Sequence, residues 1–328
     1  MSRKEQPLVS VVMPVYNAEP FVVEAINSII NQTYENWELI LVEDCSTDDT
    51  LTCLQTITDK RIKIFYNCEN KGVAYSTNRA IRNSCGKYIA LLDDDDIAFS
   101  DRLDIQVDYL EKHSNVDILG GRKVDINAAG TVLSYGNSPR YNPHYIKAAL
   151  LFKCGNGFMN GTAMIRRSFI EAHGLCYKEN CYGMQDYLFY IESSKVGTIT
   201  AIEHYFLKHR LHSGNTTDIM RAEYGLLRAK KYAEFQRYSI AASGFKLTEE
   251  QYSIINKAIS EWGETRCDNI EELKLLYKAF QEMIKQGKAM NIEYLDELII
   301  VCKQHWLNQL KKMDFFDESF ILNMGGIM

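Results

Sequence analysis

Four short apolar runs in the first hundred residues constrain the fold of this chain most strongly. None shows the polar–apolar alternation of a strand with one face in solvent, and such runs are typical of strands covered on both faces. The runs are Val9–Met13, Leu39–Val42, Ile62–Tyr66 and Tyr88–Leu92. Amphipathic stretches separate them, and between the first two runs apolar residues recur at helical spacing from Val22 to Ile30. This alternation predicts an α/β fold with a mostly parallel, doubly wound sheet flanked by helices.

The C-terminal third has a different character. Four segments there have helical patterns: Tyr224–Ala242, Thr248–Ser260, Asn269–Ile284 and Glu293–Leu310. Thr248-x-x-Gln251 and Asp268-x-x-Glu271 resemble capping boxes at helix starts. We therefore predict an α/β domain over residues 1–218 and an α-helical region over 219–328, which packs on the first domain or forms a homodimer.

Composition excludes several classes of partner. The chain has 328 residues and a formal net charge of −6, whereas proteins that bind nucleic acid normally carry a clustered basic excess. No stretch approaches the roughly 20 apolar residues that span a bilayer, and the N-terminus lacks the form of a signal peptide. We expect a cytoplasmic protein, at most peripheral at the inner face of the membrane, with no nucleic-acid partner. Nine scattered cysteines without a C-x-x-C pair predict neither a zinc site nor a disulfide framework.

Polar residues follow the predicted strands at the point where each strand ends. The segments are Pro14-Val15-Tyr16-Asn17, Glu43-Asp44, Asn70-Lys71-Gly72 and Asp93-Asp94-Asp95-Asp96. In open parallel sheets, ligands bind outside the carboxyl ends of the strands. The four segments should therefore converge on one edge of the sheet.

Four consecutive aspartates are the sharpest local signal. Like charges this close are unfavourable unless water, a cation or backbone donors offset them, and carboxylate clusters suit Mg²⁺ or Mn²⁺. A solvated acidic turn is the alternative. The position of Asp93–Asp96 at the end of a strand favours the metal.

Taken together and in order, six segments resemble family 2 of the inverting glycosyltransferases, whose GT-A fold contains a Rossmann-like sheet. The segments are Pro14–Asn17, Ser28–Tyr34, Glu43–Asp48, Asn70-x-Gly72, Gly86–Ile89 and Leu92–Asp96. The resemblance covers roughly residues 7–215 and implies that 1–218 is the catalytic domain. It implies transfer of a sugar from a nucleotide diphosphate sugar, with a UDP-sugar expected, to an acceptor hydroxyl on a glycan, lipid-linked saccharide or protein. Synthesis of a cell-envelope polysaccharide, lipid-linked oligosaccharide or glycoprotein is the expected context.

The resemblance also implies which residues bind the nucleotide sugar. They are Pro14, Tyr16, Asp44, Asn70, Asp93 and Asp94. Tyr16 and the Pro14 backbone would lie near the nucleobase, and Asp44 would accept a hydrogen bond from it. Asp93 and Asp94 would hold the ribose. Tyr16 packing a turn is the structural alternative.

Two further segments complete the implied site. Asp95, the last residue of the D-x-D signature, would bind Mn²⁺ or Mg²⁺. His209-Arg210-Leu211-His212 resembles a closing segment in which His212 completes the metal shell and Arg210 contacts phosphate. Arg210 as a surface charge is the alternative.

The segment Gly183–Phe189 resembles a helix start whose aspartate is the catalytic base, which assigns that role to Asp186. A carboxylate within hydrogen-bond reach can take the proton of an attacking hydroxyl. An N-cap is the structural alternative. Gln185 stands where the family usually has glutamate, and this departure leaves the substrate open.

Two other functions remain in competition. A nucleotidyltransferase would also combine a parallel sheet with a carboxylate-bound metal, but Tyr16–Glu19 is not the glycine-rich, basic loop expected after its first strand. A sugar-nucleotide-binding protein without turnover is the second alternative, because of Gln185.

Overall fold

The computed structural model describes residues 6–136, 142–152, 160–259 and 266–312. The chain forms two compact units, Met1–Tyr141 with Gly157–Ile219, and Asn142–Asn156 with Met220–Met328. The predicted boundary after residue 218 lies one residue from the observed division at Ile219. The segment Asn142–Asn156, which we expected in the first domain, belongs to the second unit.

The described elements follow one another in an α/β order and end in helices. The first half contains β1 (Val9–Val15), α1 (Val22–Ile30), β2 (Trp37–Glu43), α2 (Thr50–Gln55), β3 (Ile62–Tyr66), α3 (Val73–Arg82), β4 (Tyr88–Leu91), β5 (Ile97–Ala98), α4 (Arg102–Lys112), β6 (Ile118–Asn127), β7 (Val132–Tyr135) and α5 (Pro143–Leu150). A short 3-10 helix (Asn160–Thr162), β8 (Met164–Arg166), α6 (Arg167–His173), α7 (Gln185–Val196), β9 (Ile199–Leu211), α8 (Thr216–Ala242), α9 (Glu249–Ile259), α10 (Ile270–Met290) and α11 (Leu295–Lys312) follow.

The first unit contains one mixed sheet with the strand order β3-β2-β1-β4-β8-β6-β9-β5, and β7 pairs with β6. Strands β1 to β4 are parallel, and β6 is parallel to β9. Strands β5, β7 and β8 are antiparallel to their partners. The predicted α/β fold with C-terminal helices is confirmed, and the predicted parallel sheet is observed over β1 to β4. The prediction that β3 is buried on both faces was wrong, because β3 is an edge strand and its residues are partly exposed.

Strand register brings the predicted strand ends together. Val15 is the Cα partner of Glu43, which is in turn the partner of Tyr66. Val12 pairs with Leu91, so the chain leaves β4 beside the end of β1. The carboxyl ends of these four strands therefore lie at one edge of the sheet, as predicted.

The second unit has its own apolar core, which explains why it includes Asn142–Asn156. The Phe152 ring packs edge-on against Phe280 with centroids 5.7 Å apart. The backbone oxygen of Phe152 accepts hydrogen bonds of 2.8 Å from both Tyr232 Oη and Gln236 Nε2. Burial of α5 and the residues after it against the C-terminal helices thus places this segment in the second unit.

One of the two predicted capping boxes is present. Thr248 N donates to Gln251 Oε1 over 2.9 Å, and Gln251 N donates to Thr248 Oγ1 over 3.2 Å. The box predicted at Asp268 was wrong by one residue. Asn269 is the N-cap of α10, and its side chain accepts from Glu272 N over 3.0 Å.

Within the part of the chain that the structure describes, no helix is long and apolar enough to cross a bilayer.

Candidate active site

The loops that follow β1 and β2 are tied to each other by side chains. Asn17 N donates to Ser46 Oγ over 3.0 Å, and Thr47 N donates to Asn17 Oδ1 over 2.8 Å. Asn17 has a φ of 51°, a left-handed conformation that asparagine tolerates. This bracing holds Tyr16, which is 44% exposed, at the edge of the sheet directly after β1. Tyr16 therefore does not simply pack a turn, and Pro14 lies just before it within β1.

Asp44 is buried at the end of β2 and organises the loop that follows β3. Its Oδ1 accepts from Lys71 N over 2.9 Å and from Asn67 Nδ2 over 2.6 Å, and its Oδ2 accepts from Gly72 N over 2.7 Å. Asn70 Oδ1 also accepts from Gly72 N, over 3.1 Å. The structure thus places Asp44 and Asn70 together, and their contact with a nucleobase stays a prediction.

The four aspartates Asp93–Asp96, which we call the acidic turn, follow β4. Asp94 Oδ2 accepts from Tyr16 N over 2.9 Å, so the turn is joined to the end of β1. Asp96 is fully buried; its Oδ1 accepts from Arg210 N over 2.8 Å, while no described residue bonds its Oδ2. The turn is therefore packed into the protein and is not a solvated surface turn.

Crowding of carboxylates changes their acidity. Burial, with the charges of Asp95 and Asp186, raises the pKa of Asp93 from 3.8 to about 7. Burial and the charge of Asp95 likewise raise the pKa of Asp94 and of Asp96 well above the usual value. A bound cation would reduce the repulsion between these neighbouring carboxylates.

Asp95 and His212, the two predicted metal ligands, face each other. His212 Nε2 lies 2.9 Å from Asp95 Oδ2, and Asn215 Nδ2 donates to the same oxygen over 3.1 Å. Gly214 N donates to His212 Nδ1 over 3.1 Å, so the hydrogen-bond network assigns the ring proton to Nε2. His212 would have to give up this proton to bind a metal through Nε2.

The donor set fits a cation that is completed by substrate. Among the described residues, no group of three or more His, Cys, Asp or Glu side chains is arranged to hold a metal ion. A carboxylate and an imidazole are nevertheless a ligand pair that Mn²⁺ accepts, and Mg²⁺ is commonly held by one or two carboxylates plus substrate phosphates. Asp95 and His212 provide the protein part of such a site.

Arg210 is buried, so the alternative of a surface charge was wrong. Its Nε donates to Asp95 O over 2.9 Å, its Nη1 to Ala128 O over 2.8 Å and its Nη2 to Glu24 Oε2 over 2.5 Å. These contacts brace the acidic turn against α1 and the end of β6. The phosphate contact expected for Arg210 stays a prediction.

Asp186 lies inside the first turn of α7, and Met184 occupies the N-cap position. The alternative of an N-cap was therefore wrong. Tyr190, one helical turn after Asp186, donates to Asn160 Oδ1 over 2.9 Å, and a side-chain carbon at the adjacent Gly161 would lie 3.5 Å from Asp93 Oδ2, so α7 is joined to the acidic turn. The structure thus brings the predicted base and the predicted metal-binding turn to one place.

The wall beside Asp186 contains two tyrosines, Tyr177 and Tyr190, that the sequence patterns did not reveal. Tyr190 lies one helical turn after Asp186, and its hydroxyl donates to Asn160 Oδ1 over 2.9 Å. The Tyr177 hydroxyl donates to the same oxygen over 3.2 Å, and Asn78 exchanges two hydrogen bonds with the Tyr177 backbone. The only available signal was the i, i+4 spacing of Asp186 and Tyr190, which puts both on one helix face.

Arg102 was also missed, because an arginine at a helix start normally lies in solvent. Here it is completely buried behind the acidic turn. Burial lowers the Arg102 pKa to about 10, and the charges of Asp96 and Asp93 oppose this shift. The guanidinium therefore stays protonated at neutral pH and balances part of the negative charge of the turn.

The mixed sheet, with polar residues at the carboxyl ends of its parallel strands and helices at the C-terminal end of the chain, is similar to the GT-A fold of glycosyltransferases. The profile of glycosyl transferase family 2 matches residues 10–174, half of the chain, and the chain belongs to this family.

Named relatives and solved structures agree with this membership. The chain is 32% identical over 206 residues to UDP-Glc:alpha-D-GlcNAc-diphosphoundecaprenol beta-1,3-glucosyltransferase WfgD of Escherichia coli, covering 62% of this chain and 77% of WfgD. S. aureus TarS 1-349 in complex with UDP-GlcNAc superimposes with a TM-score of 0.59 at 16% identity, covering 94% of this chain and 93% of TarS. Mannosyltransferase PcManGT from Pyrobaculum calidifontis, in complex with GDP-Man and Mn²⁺, gives a TM-score of 0.51 at 17% identity, covering 92% of this chain and 81% of PcManGT. The two structural likenesses concern the fold alone.

Proposed function

We propose that this protein is a metal-dependent inverting glycosyltransferase that moves a sugar from a UDP-sugar to an acceptor hydroxyl. One observation carries the proposal: α7, which carries Asp186 in its first turn, is joined through Tyr190 and Asn160–Gly161 to the same acidic turn whose Asp95 faces His212. This connection supports a base close to a diphosphate-binding turn, the arrangement that a single displacement requires. The UDP-sugars named for WfgD and for the TarS complex support UDP as the nucleotide.

The donor would lie along the carboxyl edge of the sheet. Tyr16 would contact the nucleobase, Asp44 would accept its N–H, and Asp93 and Asp94 would hold the ribose hydroxyls. In this arrangement Asp95 and His212 would hold Mn²⁺ or Mg²⁺. The cation would neutralise negative charge on the departing diphosphate.

Asp186 would act on the acceptor. Its carboxylate would take the proton of the acceptor hydroxyl as that oxygen attacks the anomeric carbon from the side opposite the diphosphate. The new glycosidic bond forms as the bond to the diphosphate oxygen breaks, so the anomeric configuration inverts. Asn160 and Tyr177, which line the neighbouring wall, would orient the acceptor.

We propose a lipid-linked saccharide as the acceptor, in the synthesis of a cell-envelope polysaccharide. The support is WfgD, whose name specifies a diphosphoundecaprenol acceptor. Such an acceptor would bring the protein to the inner face of the membrane as a peripheral enzyme. Glycan and protein acceptors are the alternatives.

The test compares Asp186→Asn with a control variant at the adjacent position, Gln185→Glu. UDP release from UDP-glucose and from UDP-GlcNAc is measured with Mn²⁺ and a GlcNAc-diphospholipid as the acceptor of the sugar, and UDP binding with Mn²⁺ is measured by calorimetry. The Asn variant should lose about 10²- to 10⁴-fold in turnover yet bind UDP normally, since it removes only the base. The Glu variant should keep turnover.

Three results would change the proposal. Near-normal turnover by Asp186→Asn would remove the base assignment. A wild-type protein that binds UDP-sugars but never releases UDP, even with lipid-linked acceptors, would be a binding protein. Release of pyrophosphate from a nucleoside triphosphate would support the alternative that the protein is a nucleotidyltransferase.

A further inference from the structure

Arg102 bonds two neighbouring pieces of main chain, the end of β4 just before the acidic turn and the residue just before β8. Its Nη2 donates to Leu91 O over 2.8 Å and to Ala163 O over 3.3 Å. Leu91 is the last residue of β4, two positions before the turn begins. Ala163 directly follows the 3-10 helix. The buried guanidinium thus reinforces the backbone hydrogen bond of 3.0 Å that Leu91 N donates to Ala163 O, and it helps to fix the start of the turn relative to the segment Asn160–Ala163.

Gln106, one helical turn further along α4, completes the connection. Its Oε1 accepts from Arg102 Nε over 3.0 Å, and its Nε2 donates to Thr162 O over 2.8 Å. Both side chains are fully buried, so neither can touch a substrate. Arg102 and Gln106 therefore form a buried pair that bonds the backbone oxygens of Leu91, Thr162 and Ala163.

The segment Asn160–Ala163 contacts both the acidic turn and α7, so its position affects where Asp186 lies relative to the turn. A side-chain carbon at Gly161 would lie 3.5 Å from both Asp93 Oδ2 and Asp96 Oδ2, so the segment packs directly on the acidic turn. At its other end, Asn160 Oδ1 accepts from Tyr190, which lies one turn after Asp186 in α7.

We propose that Arg102 and Gln106 are positioning residues that set the separation between the acidic turn and Asp186. The inference rests on the proposed function, in which the turn holds the donor diphosphate and Asp186 takes the acceptor proton. A misplacement of about 1 Å between reacting groups can cost about 100-fold in rate. Loss of either side chain should therefore reduce turnover more than donor binding.

The test compares Arg102→Lys and Gln106→Met with the wild type. Lysine keeps the positive charge of Arg102 but lacks the planar set of N–H donors of a guanidinium. Methionine keeps a volume similar to that of Gln106 but cannot form its hydrogen bonds. UDP binding with Mn²⁺ is measured by calorimetry, and turnover is measured as UDP release from UDP-glucose and UDP-GlcNAc with a GlcNAc-diphospholipid as the acceptor of the sugar. The UDP Kd should stay within about threefold of the wild-type value, while turnover falls at least about tenfold.

Arg166→Lys is the matched control. Arg166 also donates to backbone oxygens, those of Val116 over 2.7 Å and Leu110 over 2.6 Å. It is the register partner of Tyr88, however, at the end of β4 away from the acidic turn. This variant should lower the melting temperature and leave turnover within about twofold, because its contacts do not reach the acidic turn.

Full turnover by both variants, or equal losses of UDP affinity and turnover, would overturn the inference and leave the proposed function standing. A wild-type protein that neither binds UDP nor releases it would instead count against the proposed function. Crystal structures of Arg102→Lys and Gln106→Met decide the inference independently of activity. The distance between Asp95 and Asp186 should change by about 0.5 Å or more in each variant, and an unchanged distance would refute the positioning role.

Discussion

The four aspartates of the acidic turn have identical side chains but different partners. Asp94 meets the backbone of Tyr16, Asp95 meets His212 and Asn215, and Asp96 meets the backbone of Arg210. Each partner lies far away in sequence, so the environment of each carboxylate is set by the fold. Only Asp95 has a predicted metal ligand opposite it, which singles it out within the turn.

Removal of His212 tests the metal site at the level of one residue. His212→Ala should weaken UDP binding in the presence of Mn²⁺ at least about tenfold, because one ligand of the cation is lost. UDP binding in EDTA should be unchanged. Calorimetry with and without Mn²⁺ measures both, and His204→Ala, which removes a partly exposed histidine paired with Asp101, is the control. Equal Mn²⁺ enhancement in His212→Ala and wild type would exclude His212 from the site.

The candidate site was only partly predictable from these residues. The acidic turn, His212 and Asp186 are found from short segments, because motif residues are adjacent in sequence. Arg102 and Asn215 are not, because their roles depend on contacts with oxygens that are distant along the chain. A buried arginine looks like a surface arginine until the oxygens that surround it are known.

At the scale of elements, the start of α10 offers a direct test of helix capping. Asn269→Ala should lower the free energy of unfolding by about 1 kcal/mol, because the Glu272 N–H loses its acceptor. Asp268→Ala should cost less, since its ion pair with Lys257 is exposed and exposed pairs contribute little. Urea denaturation of both variants measures the difference. A larger loss for Asp268→Ala would restore the cap that the sequence pattern indicated.

Glu38 links three strands at the other end of the sheet and makes stability depend on pH. Its Oε1 accepts from Ser10 Oγ and Cys85 N, each over 2.6 Å, and its Oε2 accepts from Lys63 Nζ over 2.8 Å. Burial alone would raise the Glu38 pKa, but these hydrogen bonds outweigh it and lower the pKa below the usual 4.5. The ionised form is therefore favoured by folding. Its contribution is complete above about pH 4.5 and is lost as the pH falls through the lowered value.

Glu38→Gln should consequently lower the free energy of unfolding by about 2 kcal/mol at pH 7, as expected for hydrogen bonds to a charged acceptor. The difference in free energy of unfolding between wild type and variant should decrease as the pH is lowered below about 4.5, because the wild-type carboxylate then becomes protonated. Urea denaturation across this range measures it, with the exposed Glu35→Gln as control. A gap that is independent of pH would show that the charge of Glu38 does not matter.

Elements with a clear apolar run or helical period were predictable, whereas β6 and β9, of 10 and 13 residues, were not, although they are long. β1, β2 and the C-terminal helices have enough residues for an apolar period to show. β5 has two residues and β8 has three, and each is a strand only because a distant partner pairs with it. The position of α5 in the second unit depends likewise on the packing of Phe152 among helices far along the chain.

At the scale of the whole molecule, the site residues all belong to one of the two units. Tyr16, Asp44, Asp95, Asp186 and His212 lie within Met1–Tyr141 and Gly157–Ile219. Donor binding should therefore stabilise the first unit directly. If the two units unfold in separate steps, UDP should raise the midpoint temperature of the first unit's unfolding transition only.

A thermal-unfolding experiment with UDP and Mn²⁺ tests this, because a ligand that binds only the folded state stabilises it by mass action. At about 100 times its Kd the gain is about 2.7 kcal/mol. UDP and Mn²⁺ together should raise the transition of the first unit by more than the sum of their separate effects, since Asp95 and His212 provide only part of a coordination shell and the diphosphate supplies the rest. Asp95→Asn should remove this excess and keep the effect of UDP alone, because the carboxylate that joins the cation to the protein is gone. Strictly additive shifts in the wild type would mean that nucleotide and metal bind independently, which is incompatible with a shared site at Asp95.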